Sequence, residues 1–124
     1  IASITLVVPD YDAAIAFYAD CLGFTLLEDT ELSPSKRWVR IAPPGAETAL
    51  LLAKADGAEQ TAAIGNQTGG RVGFFLHTDD FTRDHTAMLT KGVSFREAPR
   101  HEPYGTVAVF EDPFGNLWDL IEPK

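Results

Sequence analysis

Asp119 is the residue whose type and setting most directly suggest chemistry. It lies in Leu117-Trp118-Asp119-Leu120-Ile121-Glu122, where a period of two puts it on one strand face with Leu117 and Ile121. A carboxylate among apolar neighbours can serve as a general base, because burial lifts its pKa, or as the anchor for a cationic group. It can equally be half of an ion pair with Arg40 or another cation. His77 with Asp79 and Asp80 is a second grouping. It reads either as a metal cluster or as a strand-end histidine beside helix-capping aspartates, and the need for a cap favours the second. Trp38 and Arg40 share a strand face. On a concave face they would give an anionic ligand an aromatic wall and a cation; on a convex face Trp38 would pack under a helix and Arg40 would reach solvent. Gly73, Phe75 and His77 share another face, where the glycine leaves room and Phe75 becomes a candidate pocket wall. Tyr104 sits in the loop Arg100-His101-Glu102-Pro103-Tyr104-Gly105 and is a candidate ligand contact. His85 falls on a packing stripe, His101 reads as solvated, and Cys21 as core. No Ser/His/Asp arrangement, phosphate loop or nucleotide fingerprint appears.

The composition narrows the partners. A net charge of −8 opposes a nucleic-acid partner, which needs a basic face. No apolar run approaches the roughly 20 residues that span a bilayer. One cysteine allows no internal disulfide and agrees with a reducing compartment. The chain starts at Ile1 without a basic-then-apolar leader or a Met, so trimmed residues are expected before it, and the expected location is the cytoplasm. A length of 124 residues suits a single domain with a real core.

The elements that must position these side chains follow from punctuation and period. Ile4–Val8 is a predicted strand closed by Pro9, and Asp10 is the expected N-cap of a helix. Ala14, Phe17, Tyr18, Cys21 and Leu22 form one helical stripe, stopped by Gly23. Strands are predicted at Phe24–Leu27, Trp38–Ala42 and Thr48–Ala53, with turns at Ser33-Pro34-Ser35 and Pro43-Pro44-Gly45. Lys54–Gly70 has few large apolar side chains and reads as a linker, lid or partner-facing arm. Then the order recurs: strand Val72–Leu76, a helix capped by Asp79 or Asp80 with an inner stripe of Phe81, His85, Met88 and Leu89, a stop at Gly92, a strand from Val93, a loop over Pro99–Gly105, and a hairpin Val107–Glu122. That hairpin turns at Asp112-Pro113-Phe114-Gly115-Asn116. Asp10–Gly23 and Asp79–Gly92 share a spacing of 13 positions, and Pro43 and Gly45 recur as Pro113 and Gly115. The expected architecture is α+β: a duplicated βαβββ module, module one at 1–54, a linker at 55–70 and module two at 71–124. The two curved mixed sheets would enclose a cavity, within one chain or across a dimer.

These residues resemble the vicinal oxygen chelate superfamily of glyoxalases, bleomycin-resistance proteins and extradiol dioxygenases. The resemblance rests on the first strand, Asp10, the Phe17-Tyr18 helix, Leu22-Gly23-Phe24 and the closing Asp112-Pro113-x-Gly115-Asn116. It implies metal-ligand positions on the first and last strands of each module. Carried over, they fall on Ser3, Gly73, Leu51 (Ala49 if the register slips by two) and Asp119. A divalent first-row ion wants at least three His, Asp, Glu or Cys donors, so no metal and no cofactor is expected. The resulting expectation is a metal-free small-molecule-binding protein of the glyoxalase/bleomycin-resistance type, pairing as a homodimer because each sheet leaves a face uncovered. Its ligand would meet Trp38, Arg40, Leu51, Gly73, Phe75, His77, Tyr104 and Asp119. The alternative is a glyoxalase-like lyase or dioxygenase with a non-standard metal or base site, in which Asp119 is catalytic.

Overall fold

A computed structural model describes Ile1–Lys124. The chain divides into two compact units, Ile1–Gly65 and Asn66–Lys124. No helix is long and apolar enough to cross a membrane.

The first unit holds β1 (Ser3–Val8), α1 (Tyr11–Ile15) running on into a π-helical stretch (Ala16–Cys21), β2 (Thr25–Ser33), β3 (Lys36–Ala42), β4 (Ala49–Lys54) and α2 (Gly57–Ala63). Its sheet has the order β1-β4-β3-β2. β1 and β4 run parallel, and the remaining pairs are antiparallel. The second unit holds β5 (Phe74–His77), α3 (Phe81–Thr90), β6 (Ser94–Phe95), β7 (Arg100–Glu102), β8 (Gly105–Glu111) and β9 (Leu117–Pro123). Its sheet runs β5-β9-β8-β6, with β7 also on β8. Here β5 and β9 are the parallel pair. Strand, helix and three or more strands thus recur, and both sheets are mixed.

The helix ends are set by local chemistry. The Asp10 carboxylate accepts the Ala13 N–H at 2.8 Å, and the Asp80 carboxylate accepts the Arg83 N–H at 3.1 Å. Each satisfies a backbone donor that a helix start leaves open. Asp80 is therefore the second cap, and Asp79 instead pairs with Arg83 at 2.6 Å. Gly23 (φ 75°) and Gly92 (φ 83°) stop the helices in the left-handed region. From cap to stop, the first helix is one position longer than the second. The wide π turn, with the Leu22 N–H on the Phe17 carbonyl at 3.1 Å, absorbs that extra residue.

Each sheet buries one face under a helix. In the first unit this face carries Leu6, Val8, Val39, Ile41, Leu50 and Leu52, all buried, with Ala14, Phe17 and Tyr18 from the helix. In the second unit the aromatic rings form a chain. His85 stacks on Phe81 (5.2 Å) and meets Phe95 edge-on (4.4 Å). Phe95 then touches Phe110, Phe110 stacks on Trp118, and Trp118 stacks on Phe74.

Three expectations need correction. β2 extends to Ser33 rather than ending at Leu27. As an edge strand it is exposed along nearly its whole length, so Glu28-Asp29-Thr30-Glu31 carries no burial signal. The stretch Arg100–Glu102 is a strand, pairing with Val107, Thr106 and Gly105 of β8. It is three residues long, too short for a period to show. Leu89 is 50% exposed and lies off the buried stripe of α3, which is narrow in a helix of ten residues.

Candidate functional site

The faces opposite the helices are open, and the strand registers place the candidate residues on them. In the first unit, Thr5 pairs with Leu51, Leu51 with Arg40, and Arg40 with Glu28. One row therefore crosses four strands. Trp38 lies one pleat along, opposite Thr30 and 40% exposed. Trp38 and Arg40 thus share the uncovered face, because their neighbours Val39 and Ile41 occupy the buried one. Arg40 donates from Nε to the Ser3 hydroxyl at 3.3 Å and stands 3.8 Å from Glu28.

In the second unit, Phe75 pairs with Asp119 and Asp119 with Val109. Phe75 is 62% exposed. Asp119 is half-buried, and its Oδ1 is shut off from solvent without a hydrogen-bond partner. Burial pushes the Asp119 pKa up; Arg100 opposes that shift and Glu97 adds to it. Arg100 is already engaged, with its Nε and Nη1 donating to Glu97 and Glu102 at 2.9 Å each. Tyr104, 55% exposed, places its hydroxyl near the same guanidinium. The Glu97 carboxylate also accepts the Val109 N–H at 3.2 Å. Asp119 therefore sits beside a polar cluster whose hydrogen bonds are spent on each other.

The other candidates fall elsewhere. His77 is exposed at the end of β5, and neither aspartate near it is free. Asp79 binds Arg83, and Asp80 caps α3. Gly73 donates its N–H to the Leu117 carbonyl at 3.0 Å, and a Cβ there would meet Thr68 Cγ2 at 2.7 Å. Gly73 therefore brings the Thr68 loop close rather than leaving an empty space for a ligand. His85 is enclosed by Phe81 and Phe95.

The positions to which the family resemblance assigns metal ligands are filled by a hydroxyl, two side chains without donors and one carboxylate. The register matches Thr5/Leu51 to Phe75/Asp119, so Leu51 rather than Ala49 is the counterpart of Asp119. Ser3 is already bonded to Arg40. No group of three or more His, Cys, Asp or Glu side chains is placed to hold a metal ion. This donor set does not fit a first-row divalent ion.

Two features escaped sequence reasoning. One is the Glu97–Arg100–Glu102 cluster, whose only sequence signal is opposite charges two and three positions apart in and just before a segment that reads as a loop. The other is a groove of about 570 Å³ in the first unit, lined by residues including Tyr11, Lys36, Trp38, Ala53, Lys54 and Gln60. It forms where β4 ends, the β2–β3 hairpin turns and α2 begins. Three stretches far apart in sequence, Tyr11, 33–38 and 51–60, supply its walls, so no local pattern announces it.

Comparison with known proteins agrees with this geometry. A protein of Shewanella frigidimarina (strain NCIMB 400) is 54% identical over 124 residues, covering 98% of this chain and 92% of that protein. TnmS3, an antibiotic binding protein from Streptomyces sp. CB03234, superposes with a TM-score of 0.80 at 31% identity, covering all of this chain and 95% of TnmS3. A superfamily member from Sphaerobacter thermophilus DSM 20745 gives a TM-score of 0.78 at 30% identity, covering 98% of this chain and 95% of that one. The family model matches residues 1–120, and with the two mixed sheets, their uncovered faces and the closing Asp112–Asn116 turn this establishes that the chain belongs to the Glyoxalase/Bleomycin resistance protein/Dioxygenase superfamily.

Proposed function

We propose that this protein binds an organic small molecule on its open sheet faces without a metal, sequestering it rather than transforming it. The observation that carries this reading is Asp119. A carboxylate oxygen withdrawn from water and left without a partner, beside the exposed ring of Phe75, is unfavourable unless a ligand group completes it. Trp38, with the apolar Leu51 and Ala53 lining the same groove, supplies comparable surface on the other sheet. The donor set at the family's ligand positions supports the metal-free part. TnmS3, described as an antibiotic binding protein and similar over the whole chain, supports the binding role.

The open faces also favour a homodimer, in which a second copy would complete the binding surface. The single cysteine fits a cytoplasmic location. Thermal-shift and calorimetric screening of aromatic and glycopeptide-type compounds tests the binding role, and light scattering tests the dimer. The expected result is a raised Tm with micromolar binding at a stoichiometry set by the dimer. A library-wide null together with measurable turnover would overturn it.

A second reading, a lyase or dioxygenase of the same fold, is favoured by one feature. Burial raises the Asp119 pKa, which suits a carboxylate that accepts and returns a proton. Turnover of methylglyoxal–thiol adducts or catechols that disappears in Asp119→Asn would establish that reading instead.

A further inference from the structure

The groove of the first unit has a charge character unlike the rest of the chain. The protein carries 18 acidic and 10 basic side chains, yet Lys36, Arg37 and Lys54 line this groove against one carboxylate, Asp56. Arg37 is committed: it binds Asp29 at 2.6 Å and Asp12 at 2.9 Å, and its guanidinium lies 5.2 Å from the Tyr11 ring centre. Lys36 and Lys54 enter no ion pair. Trp38 contributes an aromatic side chain, and Leu51 and Ala53, on the same open face, an apolar surface. Asp56 and Gln60 also line it, held together by the Asp56 N–H on Gln60 Oε1 at 2.9 Å. The volume of about 570 Å³ suits a bicyclic to tetracyclic aromatic compound.

We infer that this groove selects a planar aromatic ligand bearing a carboxylate, its ring against Trp38 and its anionic group met by the Lys36 and Lys54 ammonium groups. The inference rests on the small-molecule-binding reading and adds to it a place and a charge preference. An apolar surface with an aromatic side chain holds the ring system through burial. Two uncommitted ammonium groups on flexible stems then favour a carboxylate over its neutral counterpart. Lys36 and Lys54 are on this account specificity-determining residues.

The test uses 2-naphthoate, its neutral relative 2-naphthamide and the cation 2-naphthylmethylammonium, titrated into the full chain by calorimetry. Naphthoate is expected to bind about tenfold more tightly than naphthamide at low salt, the scale of one charge-assisted contact. The preference should shrink at about 1 M salt, where the screening length is a few ångströms. In the Lys36→Met/Lys54→Met variant, which keeps the apolar stems, the preference should vanish while naphthamide affinity holds. Trp38→Ala should weaken both probes, and naphthoate should shift the Trp38 indole resonance in wild type. Equal affinity for naphthoate and naphthamide, a preference that survives the lysine substitutions, or resonance shifts at Phe75 and Asp119 alone would overturn the inference. If only the neutral or cationic probe binds, or if no probe of any charge binds, the inference fails while the binding function stands; that function falls only with a library-wide null accompanied by turnover.

Discussion

On the first sheet, the row Thr5, Leu51, Arg40 and Glu28 crosses the open face. On the second, the matching row runs Phe75, Asp119 and Val109. The parallel pair at one end of each sheet is the same, and so is the helix behind it. The ionisable group differs in sign, strand and state. Arg40 sits on the third strand with Ser3 and Glu28 as partners. Asp119 sits on the last strand with one oxygen unpartnered. The connecting turns differ in the same way. Asp112 is buried; its Oδ1 accepts the Phe114 and Asn116 N–H groups at 2.9 and 2.8 Å, and its Oδ2 accepts the Asn116 side chain at 2.7 Å. The first sheet's turn at Pro43–Ala46 has a single backbone bond of 3.1 Å. Duplicated backbones therefore do not impose duplicated chemistry. The first unit satisfies its polar groups on the open face, whereas the second spends its strong hydrogen bonds in the turn and leaves Asp119 incomplete.

Substitutions that erase the asymmetry should have graded effects. The largest concerns Gly105, which opens β8 where Lys36 opens β3. It has φ 154°, and a Cβ would run into the Glu122 carbonyl oxygen. Gly105→Ala should cost about 3 kcal/mol, from backbone strain and the displaced β9, measurable by urea unfolding. Next, Asp112→Ala should cost about 2 kcal/mol, because the Asn116 donors lose a buried charged acceptor. The same change at Glu47, in the first sheet's exposed turn, should stay within about 0.5 kcal/mol.

Asp119→Leu gives the second row the residue of the first. It should stabilise by roughly 1 kcal/mol at neutral pH while weakening binding of any ligand that uses the carboxylate. The pH profile sharpens this. The folded-state pKa of Asp119 lies above the ordinary 3.8 because burial disfavours the charge. Between those two values the folded chain keeps a proton that the unfolded chain has released, so stability falls as pH rises through that window. The urea midpoint of wild type relative to that of Asp119→Leu should fall across this window, since Asp29 and Asp84, whose pKa values are lowered, contribute to both chains alike. The smallest effect belongs to Arg40→Met. Its partner Glu28 is 3.8 Å away and both side chains are partly solvated, so the stability change should stay below about 0.5 kcal/mol.

Much of the fold was legible because its signals are local. Asp10 and Gly23 bracket one helix and Gly92 ends the other. The Asp112–Asn116 turn shows itself by residue types that bond their own backbone. The alternation around Asp119 correctly put it on the face away from Trp118 and Leu120. The site was less legible. Which of the two aspartates caps α3 depended on a one-residue difference absorbed by the π turn, and that difference has no local signature. The strand character of Arg100–Glu102 came from pairing with Val107 and Thr106, not from its own composition.

By itself the sequence determined the repeated order of elements, the cap of the first helix, the main turns, and which residues share a side of a strand, because these depend on backbone preferences within a few positions. Only the tertiary structure decided that Trp38 and Arg40 face away from the helix, that Arg100 is engaged by two glutamates beside Asp119, and that Lys36 and Lys54 line one groove. Those outcomes depend on which strands become neighbours and on which polar groups find partners there, and pairing between distant segments is a property of the assembled sheet.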